Sequence, residues 1–229
     1  MPTEPVERQL ILNLPCRSAQ GRDDFFVAPA NALALATLDA PDAWPQRRML
    51  LIGPEGAGKS HLAQIWADEH DAPVLPAARL TAGAAPALVA ARAVVIEDAE
   101  AIGPDPAAQA ALFHLHNLAL AEGAHLLITA RKAPRDWGLT LPDLQSRMAA
   151  TASVRIAPPD EALLAAVLVK LFADRQLDVA PALIPWLVLR IDRSLATARD
   201  VVAALDARAL AKGGAVTRAL AAEVLDSLA

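Results

Sequence analysis

Met49-Leu50-Leu51-Ile52-Gly53-Pro54-Glu55-Gly56-Ala57-Gly58-Lys59-Ser60-His61-Leu62 is the stretch on which the fold turns. A short apolar run, read as a buried strand, feeds a glycine-rich loop, and a helical pattern follows over 60–69. The octet Gly53 to Ser60 satisfies G-x-x-x-x-G-K-S in the strand-loop-helix context that a phosphate-binding loop requires. Glycines let the backbone wrap so that its N–H groups aim at phosphate oxygens, and the helix that follows adds its positive N-terminal end. Lys59 is placed to reach the β- and γ-phosphates, and the Ser60 hydroxyl to ligate Mg²⁺. A glycine turn beside a solvated lysine is the bland alternative, and the strand-loop-helix context argues against it.

Outward from the loop, Val74-Leu75, Ala93 to Ile96, His125 to Thr129 and Ser153 to Ile156 read as further strands, separated by helical patterns of which Pro106 to Glu122 is the clearest. Asn31 to Leu38 carries helical spacing ahead of the first strand. Strands that alternate with helices need crossover connections, so the five assemble as a parallel sheet with helices on both faces, an α/β domain. Val94-Val95-Ile96-Glu97-Asp98 ends in two carboxylates at the sheet edge that carries the phosphate loop. One of them suits a Mg²⁺ site and the other can polarise an attacking water, with Glu97 expected at the metal and Asp98 beside it. Thr129 and Arg131 close the fourth strand, where either could sense a γ-phosphate or simply cap a strand and face solvent.

At Ala157-Pro158-Pro159-Asp160 the texture changes. Consecutive prolines stop a strand, and Asp160 is placed to cap a helix reaching about Gln176. Apolar helical patterns follow near Ala182 to Ile191, Ser194 to Ala211 and Thr217 to Leu228, with no strand signal. The chain therefore divides into a flexible tail over 1–22, an α/β nucleotide-binding domain over 23–157 and a small all-helical lid domain over 158–229.

A lone Cys16 excludes an intramolecular disulfide and a four-cysteine zinc site, so a reducing, cytoplasmic setting fits best. No apolar run approaches the ~20 residues of a membrane span, and the N-terminus lacks a basic flank followed by an apolar core. The net charge of −5 argues against a broad nucleic-acid surface. Contact with DNA is accordingly expected to be indirect.

With these pieces placed, the sequence from about Asp23 onward resembles the AAA+ ATPases, and within them the DnaA family with its Hda branch. Asp24-Phe25-Phe26-Val27 looks like the segment that opens the core of that family, which implies that Phe25 and Phe26 line the adenine pocket. Gly58-Lys59-Ser60-His61-Leu62 matches the ending of the family's phosphate loop and brings His61 into the nucleotide site. Leu141-Pro142-Asp143-Leu144-Gln145-Ser146-Arg147 is similar to the box that ends in an arginine finger; Arg147 would then act in trans, on a neighbour's nucleotide. Otherwise Arg147 is a surface arginine at a helix end. Ala198-Arg199-Asp200-Val201 corresponds to the lid and puts Arg199 at the second sensor, on this chain's own phosphates.

The resemblance also covers the tail. Gln9-Leu10-Ile11-Leu12-Asn13-Leu14 is similar to the peptide by which the Hda branch engages the DNA polymerase III sliding clamp, the β subunit. Gln9 would fill a polar pocket of the clamp, and Leu10, Leu12 and Leu14 an apolar groove. A short strand packed on this chain's own core is the other reading of that peptide. The helix-turn-helix domain that follows the lid in DnaA is not expected here.

Two departures bear on catalysis. Glu97-Asp98 stands where the group usually has two aspartates, and Arg131 where an aspartate is common. The resemblance then implies weak hydrolysis by this chain's own site with binding of ADP or ATP and Mg²⁺ intact. It implies a negative regulator of replication initiation that holds ADP, is tethered to the clamp, and uses Arg147 to stimulate hydrolysis of DnaA-bound ATP. Self-association is compatible with it. The competing readings are a self-contained AAA+ ATPase such as a helicase loader, and a non-catalytic clamp adaptor.

Overall fold

The structure, a computed structural model, describes residues 21–22 and 25–228. The tail peptide with Gln9, Leu10, Leu12 and Leu14 lies outside the described residues, as does Asp24.

Five parallel strands form one sheet: β1 (Arg48–Ile52), β2 (Val74–Pro76), β3 (Ala93–Glu97), β4 (His125–Ala130) and β5 (Ser153–Arg155). Their order is β2-β3-β4-β1-β5, with Leu50 opposite Ile128 on one side and Ser153 on the other. All five residues of β1 are buried, and the apolar run over 49–52 is what a central parallel strand requires. From β1 the chain crosses to β2, returns through β3 and β4 to one side of β1, and places β5 on the other. The crevice at the C-terminal end of β1 is therefore the sheet's switch point, where ligands of open α/β sheets bind.

Alternation sends the side chains of the sheet to two cores. Leu50, Ile52, Val94, Ile96, Leu126 and Ile128 meet α3 (Ala85–Ala90), α4 (Pro106–Ala121) and α5 (Pro142–Ala150). Leu51, Val95, Leu127 and Val154 meet α1 (Ala32–Leu38) and α2 (Lys59–Glu69), where Trp44 stacks on Trp66 with ring centroids 5.2 Å apart. The sequence reading gives α3 and α5 no bounds. Each fully buries only two residues, Ala85 and Val89 in one and Leu144 and Met148 in the other, too few for a clear periodic signal.

The C-terminal part is helical: α6 (Glu161–Asp174), α7 (Leu183–Val188), α8 (Leu195–Lys212) and α9 (Arg218–Leu228). It has a core of its own, built around Leu164, Leu168, Phe172, Leu187, Val202 and Leu205. Asp160 caps α6 as the sequence predicts, accepting from the Leu163 N–H at 2.8 Å, and Ser194 caps α8 by accepting from the Thr197 N–H at 3.1 Å. An isolated parallel bridge between Val179 and Val216 is the one extended pairing described in this part, where the sequence shows no strand signal. Among the described residues no helix is long and apolar enough to cross a membrane.

Candidate functional site

The loop over 53–58 leaves β1 and delivers Lys59 and Ser60 to the first turn of α2. Gly56 and Gly58 hold φ of +69° and +101°, backbone that L side chains rarely adopt. Gly53 is required for a different reason, since a Cβ there would lie 2.6 Å from the Ile156 carbonyl oxygen. Pro54 and Glu55 are the exposed residues of the loop, and Ala57 is buried beneath it.

Lys59 is almost fully buried, and its Nζ donates to the carbonyls of Gly53 at 2.8 Å and Pro54 at 2.9 Å. Burial pushes its ammonium below the ordinary lysine value, opposed by the negative charges of Asp98, Glu100 and Glu55. Around it a polar cleft is lined by Glu55, Lys59, Ser60, His61, Asp98, Arg131 and Arg199, residues of four separate chain segments. Arg199 comes from α8, with its Nε donating to the Leu195 carbonyl at 3.2 Å.

An apolar chamber adjoins the cleft and shares Gly58, His61 and Arg199 with it. Phe25, Phe26, Ala57, Leu163, Val167 and Leu171 line the chamber, so the segment before α1, the loop and the helical part all contribute. Phe25 meets His61 edge to face, with centroids 5.5 Å apart. Buried Asn31 shapes the entry segment: its Oδ1 accepts from the Ala28 N–H and its Nδ2 donates to the Phe26 carbonyl. An apolar slot continuous with a cationic, amide-lined loop can take a flat ring at one end and phosphates at the other.

The carboxylates at the end of β3 part company. Asp98, exposed and with φ +53°, turns into the polar cleft. Glu97 is not among the cleft's lining residues, and its Oε1 is buried without a hydrogen-bond partner among the described residues. Thr129 is likewise absent from the lining: it is buried in β4, and its Oγ1 accepts from the Asp98 N–H at 3.2 Å. Arg131 does line the cleft, where it pairs with Glu55 and Glu100. Glu100 is the residue that the sequence reading passes over, because nothing local marks it.

No group of three or more His, Cys, Asp or Glu side chains among the described residues could cage a metal ion. The Ser60 hydroxyl and the Asp98 carboxylate share the cleft, and the unpartnered Glu97 oxygen lies one residue away in sequence. That donor set suits Mg²⁺, which keeps several waters and takes few protein oxygens together with phosphate.

Arg147 is exposed near the C-terminal end of α5 and belongs to neither cavity. Its charge acts on Arg48, the first residue of β1, and on His116 of α4. The phosphate loop begins at the other end of the same strand.

Neither a family model nor a curated protein matches the sequence. Solved structures do. Domain III of the Thermotoga maritima replication initiation protein DnaA is similar with a TM-score of 0.74 at 20% identity, over 91% of this chain and 96% of that one. Replication initiator DnaA bound to AMPPCP and single-stranded DNA is similar with a TM-score of 0.65 at 15% identity, over 83% of this chain and 67% of that one. The Thermotoga maritima RuvB Holliday junction branch migration motor gives 0.68 at 15% identity, over 91% and 72%. The fold is a DnaA-like AAA+ α/β fold with a helical C-terminal part.

Proposed function

We propose that this chain is an Hda-like negative regulator of DNA replication initiation. In this reading it binds a nucleotide in the cleft between loop and helices, is tethered to the sliding clamp through Gln9 to Leu14, and docks on ATP-bound DnaA. Arg147 enters DnaA's nucleotide site and stabilises the charge that develops on the γ-phosphate, so that the initiator passes to its ADP form.

Nucleotide binding is supported by the pocket itself and by its likeness to a DnaA structure that holds AMPPCP. The base would lie in the Phe25–Phe26 chamber, the phosphates on the amides of Gly56 to Ser60 with Lys59 and Arg199, and Mg²⁺ at Ser60 with Asp98 or Glu97. The observation that carries the regulator reading is the placement of Arg147. It is a surface cation near the residue that opens β1, while this chain's own phosphate loop follows the residue that closes it. A guanidinium so placed is available to a neighbour's phosphates and not to its own. In this reading Arg147 serves the partner's site and Arg199 this chain's own.

The deciding experiment measures hydrolysis of DnaA-bound ATP with and without this protein and the clamp loaded on DNA. Stimulation that needs the clamp and disappears in Arg147→Ala, with nucleotide binding by the variant unchanged, is the expected result. Full stimulation by Arg147→Ala removes the finger from the mechanism. Turnover by the purified chain alone, lost in Asp98→Asn, favours a self-contained ATPase, and clamp binding without any effect on DnaA favours an adaptor.

A further inference from the structure

We infer that Glu55, acting through Arg131, makes the phosphate cleft select a nucleoside diphosphate over a triphosphate. The inference rests on the nucleotide-binding part of the function proposed above and concerns a position that the phosphate-loop pattern leaves free. Glu55 projects from the loop with its side chain 78% exposed and lines the cleft together with Arg131. Arg131 leaves the end of β4 and donates from Nη1 to Glu55 Oε2 at 3.0 Å and from Nε to Glu100 Oε1 at 2.7 Å. The Arg131 backbone N–H is 3.2 Å from both Glu100 oxygens, and the Glu100 side chain is only 12% exposed. One guanidinium is therefore shared by two carboxylates, and the trio carries a net negative charge at the mouth of the cleft.

Asp98 adds a further negative charge, against the positive charges of Lys59 and Arg199. Asp98, Glu100, Glu55 and Arg131 all act on the Lys59 ammonium, so they surround one region of the cleft. A third phosphate brings roughly one more negative charge into it. Were Arg131 to meet that phosphate by releasing Glu55, a bare carboxylate would stand on the loop beside it. Were Arg131 to stay, the phosphate would approach a cation that is already neutralised, with Glu55 next to it. In both cases the third phosphate, although it shares Lys59 with the second, meets a carboxylate that the first two, seated on the loop amides, do not meet.

The test is equilibrium titration of the nucleotide-free full-length chain with ADP and with ATP in the presence of Mg²⁺. In Glu55→Gln the amide oxygen still accepts from Arg131 but the charge is gone, and the ratio Kd(ATP)/Kd(ADP) should fall about tenfold. In Arg131→Ala both carboxylates lose their shared cation, and the ratio should rise by a similar factor. Both shifts should shrink at high salt, because Glu55 and Arg131 are exposed to solvent. An unchanged ratio in either variant overturns the inference. So does a ratio that rises in Glu55→Gln, which would mean that Glu55 aims Arg131 at the third phosphate. A wild-type chain that binds neither nucleotide overturns this inference together with the nucleotide reading, whereas binding with an unmoved ratio defeats the inference alone.

Discussion

The Leu195 N–H donates to the Gly56 carbonyl at 2.7 Å, joining the first residue of α8 to the tip of the phosphate loop. On the same side, Ser194 Oγ stands where a Cβ on Gly56 would go. The helical part is thus fastened to the loop it covers through backbone, and Arg199 enters the cleft one turn further along α8. The register of one helix cap sets where Arg199 meets the cleft.

That contact makes Gly56→Ala informative. The new methyl collides with Ser194, and the residue must hold φ +69°, which costs a non-glycine residue about 1–2 kcal/mol before the collision is counted. Nucleotide affinity should fall by at least tenfold, and thermal unfolding should shift to lower temperature. Gly56→Ala combined with Ser194→Gly should recover part of the loss by opening space while leaving the backbone strain. Equal affinity for the single and double variants would show that the packing against Ser194 is immaterial.

Lys59 separates binding from folding. Its ammonium is buried and satisfied by the Gly53 and Pro54 carbonyls, so Lys59→Met removes a buried charge and two hydrogen bonds. The two effects oppose, because truncation relieves desolvation while leaving two carbonyls to find water. Stability should change by less than about 1–2 kcal/mol, whereas nucleotide affinity should drop ~100-fold or more, since a charge-assisted phosphate contact is lost. Calorimetric titration beside thermal denaturation of the same variant reads both quantities.

His116 sets an acid-side stability slope. It is buried in α4, and its ring is pushed down to about 4 from 6.5, first by burial and then by the positive charges of Arg48 and Arg147. Between these two values the unfolded chain binds a proton that the folded chain refuses. Stability is therefore complete above pH 6.5, is lost as pH falls from 6.5 to 4, and loses nothing further from this group below that. The full window corresponds to about 3 kcal/mol. Urea midpoints measured from pH 7.5 down to ~4.5 should fall in the wild type and fall less in His116→Gln. Arg48→Met should raise the pKa of His116, seen directly by NMR titration of the ring.

Much of the fold is legible in the sequence because the signals are local. The five apolar runs become the five strands, and Asp160 caps the helix it is expected to cap. The phosphate loop is legible for the same reason: its residues are consecutive, and its glycines are demanded by backbone geometry. What the sequence does not disclose depends on distant segments meeting. Arg131 lies 76 residues from Glu55 and 31 from Glu100, and only the parallel register of β1, β3 and β4 brings their ends to one edge. The separation of Glu97 from Asp98 follows from a positive φ at Asp98, which no pattern in the carboxylate pair announces.

Gln109 connects the core to the segment that carries Arg147. It is buried in α4; its Nε2 donates to the Gly103 carbonyl at 2.7 Å, and its Oε1 accepts from the backbone N–H groups of Thr140 at 2.9 Å and Leu141 at 3.0 Å. Leu141 is the residue that precedes α5, so one amide side chain fixes where that helix starts. Replacing Gln109 with leucine keeps the volume but leaves the buried Gly103 carbonyl and two part-buried backbone donors without this partner, at a cost of about 1–3 kcal/mol. If Arg147 works as proposed, the variant should also stimulate DnaA-bound ATP hydrolysis less, even at temperatures where it remains folded, because α5 starts from a less defined position. Its affinity for nucleotide should stay at the wild-type value, since neither Thr140 nor α5 lines the cleft. Undiminished stimulation by folded Gln109→Leu would show that the finger tolerates a loose base. Weakened nucleotide binding would show instead that the disturbance spreads through β4 to the cleft.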